Sequence, residues 1–319
     1  MSDLVSLDDV RAAADRVKGR VVRTPLLPAR WADPNRPLWL KPESLQPTGA
    51  FKLRGAFNAV AKLSQHVRAR GLVTHSSGNH AQAVAYAARA FGVPATIVMP
   101  EGTPEVKRRA TEEFGADIVM VPAADRFTVA ERIVAERGRY LIPPFDHPDV
   151  IAGQGTVGLE IAEDLPDVAV VLVPVSGGGL VSGVAVAVKA LTPSARVIAV
   201  EPELAADLAE GFQAGERRVW DASLTARTIA DGLRVPAVGL LPWQHITHLV
   251  DDVVTVAEDE IRAAMRQLVF GSRLVVEPSG AVATAAYLFR RESFPVGRTV
   301  AIVSGGNVDP AALQQLLQT

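Results

Sequence analysis

The chain has 319 residues, 48% of them hydrophobic and 21% charged, with a formal net charge of -2. That balance excludes a disordered chain, which needs fewer apolar residues and more net charge. It also supplies no global field for a polyanion, so no nucleic-acid partner is expected. The sequence contains no cysteine, which removes disulfides, thiolate nucleophiles and cysteine metal sites together.

The opening stretch MSDLVSLDDVRAAADRV carries acids where a signal peptide carries positive charge, and it lacks a long apolar core. The longest apolar run, 169–175, is too short to span a bilayer. A cytoplasmic protein with no membrane partner is the expectation.

The first polar, glycine-bearing segment is Ser44-Leu-Gln-Pro-Thr-Gly-Ala-Phe51-Lys52-Leu-Arg-Gly-Ala56. Pro47 and Gly49 predict a turn, and 51–62 reads as a helix with Lys52 in its first turn. A helix start is electropositive, which disfavours a cation and lowers an amine's pKa. A solvent-facing lysine is the plain alternative.

A buried strand is expected at 71–74, followed directly by His75-Ser76-Ser77-Gly78-Asn79-His80 and a helix over 80–91. Helix capping accounts for one or two of these polar residues, not for all. Further strands are expected at 95–99 and 117–121, and helices at 104–114 and 126–136. Lys107, Arg108 and Arg109 read as a solvated helix face, and Arg126 stands at a helix start.

The strand 168–173 leads into Ser176-Gly177-Gly178-Gly179-Leu180 and a helix over 180–191. Three glycines between strand and helix leave backbone N–H groups free for an anion, and a phosphate is the natural ligand. A strand at 196–200 ends at Glu201, a helix follows at 259–268, and a last strand, 299–303, ends in Ser304-Gly-Gly-Asn307. This alternation predicts parallel sheet covered by helices on both faces, with ligands at the carboxyl ends of the strands. His245 and His248 have ligand-like spacing but no third partner, and read as surface histidines.

Gly177 and Gly179 with Glu201 on the next strand leave an NAD-binding oxidoreductase as a remote alternative. The third fingerprint glycine, however, is replaced by Ser182. No Gly-Lys-Ser/Thr follows the glycines, which argues against a nucleotide hydrolase. A pure binding protein would not need the lysine. Lysine, phosphate loop and a hydroxyl for a ring nitrogen together describe a pyridoxal-phosphate site.

Those segments, in this order, resemble the pyridoxal-phosphate-dependent threonine/serine dehydratase and serine racemase family. So do Phe145-Asp-His-Pro-Asp-Val-Ile-Ala-Gly-Gln-Gly-Thr156 and Thr228-Ile-Ala-Asp-Gly-Leu233. The similarity spans essentially the whole chain. It implies an α/β, tryptophan synthase β-like fold (fold type II) with two open, twisted, mostly parallel sheets. The expected division is a discontinuous large unit, 1–70 and 149–319, and a small unit, 71–148.

By position, the resemblance assigns Lys52 to the Schiff base and Ser77 to the opposite cofactor face, as the two catalytic residues. Phe51, Asn79, Gly177, Gly178, Gly179, Leu180 and Ser304 would join Lys52 in binding the cofactor. Within that set Asn79 would meet the phenolic oxygen and Ser304 the ring nitrogen. Ser76, Ser77, Gly78, Asn79 and His80 would hold the substrate, with Arg126 as a further contact. The family's loop often begins with glycine where this chain has Ser176, whose backbone N–H still serves.

The implied reaction is α-proton removal by Lys52 and β-elimination of water from threonine or serine. Serine racemisation and threo-3-hydroxyaspartate dehydration stay open as alternatives. The resemblance also implies a Mg2+ site (or Ca2+ or Mn2+) from the Glu201 and Asp207 carboxylates and the Ala205 carbonyl, with a water-mediated contact from Glu277. A homodimer or homotetramer is expected. No regulatory domain is expected after the Ser304 motif.

Overall fold

The computed structural model describes residues 4–318; Met1 to Asp3, part of the stretch assessed for a signal peptide, and Thr319 lie outside it. Two open sheets organise the chain. Ten strands fill them: β1 (Leu27–Pro28), β2 (Leu38–Pro42), β3 (Leu72–His75), β4 (Ala95–Pro100), β5 (Asp117–Val121), β6 (Tyr140–Leu141), β7 (Val168–Pro174), β8 (Arg196–Pro202), β9 (Asp252–Val256) and β10 (Arg298–Val303).

The six-stranded sheet has the order β1-β2-β10-β7-β8-β9 and the four-stranded sheet the order β5-β4-β3-β6. All pairings are parallel except β1 with β2. The family's two mostly parallel sheets are therefore present, and every strand expected from β-branched runs is found. The short edge strands β1 and β6, and also β2 and β9, were not anticipated.

The β-branched residues of β7 and β8 are buried on both faces, as a central parallel strand requires. One face of the large sheet packs on the helix Pro278–Arg290, through Ala281, Ala285 and Tyr287. The other packs on the helix Gly179–Leu191, through Val181, Val184 and Val188. That helix crosses Pro148–Asp164 so closely that a methyl on Gly183 would lie 2.3 Å from Ile151 O and 2.4 Å from Gly155 N. Only glycine fits there, and the contact fixes where the glycine loop before the helix points.

The helix Lys52–Lys62 is amphipathic. Leu53, Ala56, Phe57 and Val60 share a core with Leu72 and Ile97 of the small sheet and Val84 of the helix Asn79–Phe91. The same helix also packs against Pro148–Asp164, so Lys52 stands where the layers meet. Among the described residues, no helix is long and apolar enough to cross a membrane.

Candidate active site

Beneath Lys52 lies a buried ion network. Arg54, two residues on and fully buried, donates to Glu43 (Nε–Oε2 2.7 Å) and to Glu160 (Nη1–Oε1 2.7 Å). Lys41 closes the set, its Nζ 2.6 Å from Glu160 Oε2 and 2.6 Å from Thr24 O. Two cations against two carboxylates leave no net charge. Such a set holds its shape because any single loss strands a buried charge.

Lys52 opens its helix, with Nζ donating to Pro144 O at 2.7 Å and lying 5.2 Å from the Phe51 ring centroid. Burial lowers its amine to about 8. Lys41, Lys62, Lys107 and Lys189 are each paired with a carboxylate. Lys18 is exposed. Among the described residues, Lys52 is thus the one sheltered lysine held by a neutral carbonyl and no carboxylate, leaving an amine suited to a carbonyl reagent.

The loop after β10 is stitched to the approach to Lys52. Phe51 N donates to Ser304 O at 3.0 Å, Gly306 N donates to Gly49 O at 2.9 Å, and Ala50 bridges Gly305. Ser304 is buried, and its hydroxyl has a 3.4 Å contact with Ser279 O. Asn307 Nδ2 donates to Thr48 O and to Asn79 Oδ1, each at 2.8 Å.

The turn after β3 presents half-buried Ser76, Ser77, Gly78 and Asn79. A methyl on Gly78 would meet no protein atom within 4 Å, so this turn borders open space. His80 is buried; its Nε2 lies 3.0 Å from Ile142 O, while Nδ1 has no partner. Burial, aided by the charge of Lys52, pushes its imidazole down to about 3, so it is neutral. Ile142 also accepts from Thr74 Oγ1 at 2.8 Å. The segment from Ile142 to Phe145 therefore ties the serine turn to Lys52.

Phe145 carries that link to the glycine loop. A methyl on Gly177 would fall 2.2 Å from Phe145 Cδ1, and one on Gly179 would fall 3.1 Å from Phe145 Cα. Gly178 adopts φ 88° and caps the helix Gly179–Leu191, whose Leu180 occupies the first turn. N–H groups of a first helical turn lack intrahelical acceptors, so the loop presents donors for a phosphate. Ser176 Oγ accepts from Val235 N at 3.0 Å and braces the loop's start. Lysine, a glycine loop with free N–H donors, a buried hydroxyl and an amide together fit pyridoxal phosphate.

Arg126 is not a free surface side chain. It is half-buried, with its Nε buried and unpartnered, and sits 4.7 Å from the Phe127 ring. Phe127 packs on His75 at 4.4 Å, which puts Arg126 beside the serine turn. Burial, then the charge of Arg126, lowers the His75 imidazole.

Glu201, next to last in β8, accepts from Leu208 N (3.3 Å) and Ala209 N (2.8 Å), and so does not reach out as a ribose acceptor. Asp207 is buried with Oδ2 unpartnered, and Ala205 is buried beside them. Burial and the Asp207 charge push Glu201 well up, and burial pushes Asp207 up to about 7. Two sheltered carboxylates short of positive charge, with a nearby carbonyl, are a donor set for a hard cation.

Two readings need correcting. Glu277, expected near the cation, has its carboxylate on Asn79 (Oε1–Nδ2 2.7 Å). His245 is buried rather than superficial; Val5 N donates to its Nε2 at 3.0 Å and Nδ1 lies 2.9 Å from Leu241 O, while His248 is exposed. Lys107, Arg108 and Arg109 do lie on a solvated helix face, each paired with its own carboxylate, Asp231, Glu112 and Glu105. Sequence reasoning gave no site role to the Pro144 carbonyl, and only the shared segment 145–156 hinted at Phe145.

A family profile described as pyridoxal-phosphate dependent enzyme matches residues 17–305. The catabolic L-threonine dehydratase TdcB of Escherichia coli K12 is 41% identical over 318 residues, covering 98% of this chain and 96% of that one. The L-threo-3-hydroxyaspartate ammonia-lyase of Saccharomyces cerevisiae is 42% identical over 306 residues, 94% of this chain and 93% of that one. The structure of maize serine racemase superposes with a TM-score of 0.92 at 39% identity, covering 99% of this chain and 98% of that one.

Proposed function

The chain belongs to the pyridoxal-phosphate dependent enzymes, and from that membership we propose that it is an L-threonine/L-serine ammonia-lyase using Lys52 as its cofactor lysine and base. The observation that carries this is the sheltered Lys52 amine. It has no carboxylate partner and is tied through Pro144 and Phe145 to the glycine loop and through Phe51 to Ser304.

Lys52 would hold the cofactor as a Schiff base, with Phe51 against it. The backbone of Gly177, Gly178, Gly179 and Leu180 would take its phosphate, Asn79 its phenolic oxygen and Ser304 its ring nitrogen. When bound, pyridoxal phosphate supplies the electron sink that makes an amino acid's α-proton removable. The 76–80 turn would hold the substrate carboxylate by backbone N–H and hydroxyl groups, fixing the Cα–H bond toward Lys52. An amine held near 8 by burial is partly neutral at physiological pH, as a general base must be. Ser304 offers a hydroxyl, which does not keep a pyridine nitrogen protonated as a carboxylate does. Prompt loss of the β-hydroxyl, and release of a 2-oxo acid and ammonia, fit that choice.

A second reading is favoured by Arg126. Its guanidinium, with Nε unpartnered, beside the serine turn suits an acidic substrate such as L-threo-3-hydroxyaspartate. Ser77 returning a proton to the opposite face would make the enzyme a serine racemase. The proposal includes Mg2+, Ca2+ or Mn2+ held by Glu201, Asp207 and the Ala205 carbonyl. It also includes a large unit of 1–70 and 149–319 and a small unit of 71–148, supported by sheet membership, with the helix Lys52–Lys62 as their shared wall. Self-association to a homodimer or homotetramer is supported by the exposed Phe270 and Val275.

The test is purified protein given pyridoxal phosphate and L-threonine, L-serine, D-serine or L-threo-3-hydroxyaspartate, following 2-oxo acid and chiral serine with and without Mg2+. Oxo acid from threonine and serine with little D-serine is expected. Substantial D-serine, or turnover of hydroxyaspartate alone, moves the assignment to the second reading. A colourless, inactive protein overturns both.

A further inference from the structure

Glu277 is buried and caps the helix Pro278–Arg290, on the far side of Asn79 from Asn307. Its backbone N–H donates to Gly305 O at 3.2 Å. A methyl on Gly305 would lie 2.3 Å from Glu277 Oε1, so only glycine lets the carboxylate reach this depth. Glu277 thus touches both the Asn79 amide and the backbone next to Ser304.

An asparagine amide has two ends of nearly equal shape, and only its partners decide which way it points. Here the partners differ in kind. Asn307 spends Nδ2 on Thr48 O and on Asn79 Oδ1. Glu277 Oε1 accepts one hydrogen of Asn79 Nδ2. A flipped Asn79 would set NH2 against NH2 at Asn307 in every case and, against an ionised Glu277, oxygen against carboxylate, so that both bonds are lost. In the orientation observed, one N–H of Asn79 is left for a ligand.

We propose that Glu277 is a positioning residue that, acting through Asn79, holds the amide so that an N–H rather than an oxygen is offered to the cofactor's phenolic oxygen. The inference rests on the assignment of Asn79 above. It adds a residue that makes no cofactor contact itself. Burial and the nearby Asp231 charge raise the Glu277 carboxyl to about 8, while Asn79, Lys107 and the Asn307 N–H oppose that rise. Either protonation state keeps an oxygen able to accept from Asn79.

The test titrates cofactor-free protein with pyridoxal 5'-phosphate, reading the visible absorption band and apparent Kd for wild type, Asn79→Ala, Glu277→Ala, Glu277→Gln and the double alanine variant. Glu277→Ala and Asn79→Ala should each weaken cofactor affinity about tenfold and shift the band alike. The double variant should match Asn79→Ala alone, and Glu277→Gln, which keeps an acceptor, should restore the wild-type band. Wild-type behaviour in Glu277→Ala, effects that multiply in the double variant, or Glu277→Gln no better than alanine would overturn the proposal. An indifferent Asn79→Ala overturns the assignment of Asn79 itself, and wild type without a visible band overturns the whole site. If Glu277→Ala does not fold, Glu277→Leu, which keeps most of the volume and removes the acceptor, must reproduce the Asn79→Ala shift; wild-type behaviour there is equally fatal.

Discussion

Replacing Arg54 by methionine should cost about 3–5 kcal/mol of folding stability, the range for stranding a buried charge. The side chain is fully buried and meets Glu43 through Nε (2.7 Å) and Nη2 (2.8 Å), and Glu160 through Nη1 (2.7 Å) and Nη2 (2.9 Å). Without it two buried carboxylates face Lys41 alone, one negative charge in excess. A domain's whole stability is about 5–15 kcal/mol, so the loss is a large share of it. The variant has one escape. Burial pushes the Glu43 carboxyl up, and the charges of Arg54 and Lys41 now outweigh that to hold it down. With Arg54 gone, Glu43 rises and takes a proton more readily, so the deficit should shrink as the pH falls. Urea unfolding of the cofactor-free protein at pH 8 and pH 5 reads both effects. A loss below about 1 kcal/mol at pH 8, as for an exposed ion pair, would refute the reasoning, as would a deficit that grows on acidification. Neutralising Glu43 and Glu160 together with Arg54 and Lys41 by apolar residues should recover most of the loss.

The His80 imidazole, held down to about 3 by burial and by Lys52, is neutral in the fold and protonated in the unfolded chain between pH 3 and its ordinary value near 6.5. Its contribution therefore favours folding above pH 6.5 and is lost as the pH falls toward 3, by up to about 5 kcal/mol. His80→Leu should flatten unfolding free energy over that window, and an unchanged slope would contradict the assignment. Gly183→Ala should destabilise by roughly 1–3 kcal/mol or more, because its methyl meets backbone rather than a flexible side chain; an unchanged Tm counts against the helix crossing. Gly78→Ala, whose methyl meets nothing in the protein, should leave Tm within about 2 °C yet raise KM for amino acid. A large Tm loss with unchanged KM would place the turn in the packing, not in the substrate site.

Buried parallel strands were legible because β-branched runs need no partner to be recognised; β5 and β7 begin where the sequence puts them. Strand β2 was not, since LWLKP breaks the apolar run with a lysine and ends in proline. Lys41 is tolerated there only because Glu160, 119 residues away, neutralises it. His245 failed for the same reason: two histidines on one helix suggest a surface, and the Val5 amide that buries one lies 240 residues off. The polar, glycine-rich motifs were legible as a set, since each ends a strand and their residue types have a chemical purpose. Glu277 carried no such signal. Its neighbours in sequence are Val275, Val276 and Pro278, and its purpose exists only once Asn79 and Gly305 are brought to it.

The account stands on Lys52 more than on any other residue. Borohydride reduction of the protein loaded with pyridoxal phosphate, followed by peptide mapping, tests it most directly, because reduction makes the lysine linkage permanent. The account predicts a single adduct on the peptide containing Lys52, with loss of the visible band, and neither band nor adduct in Lys52→Ala. An adduct on Lys18, Lys41, Lys62, Lys107 or Lys189 instead, or a Lys52→Ala protein that keeps its band, would contradict it.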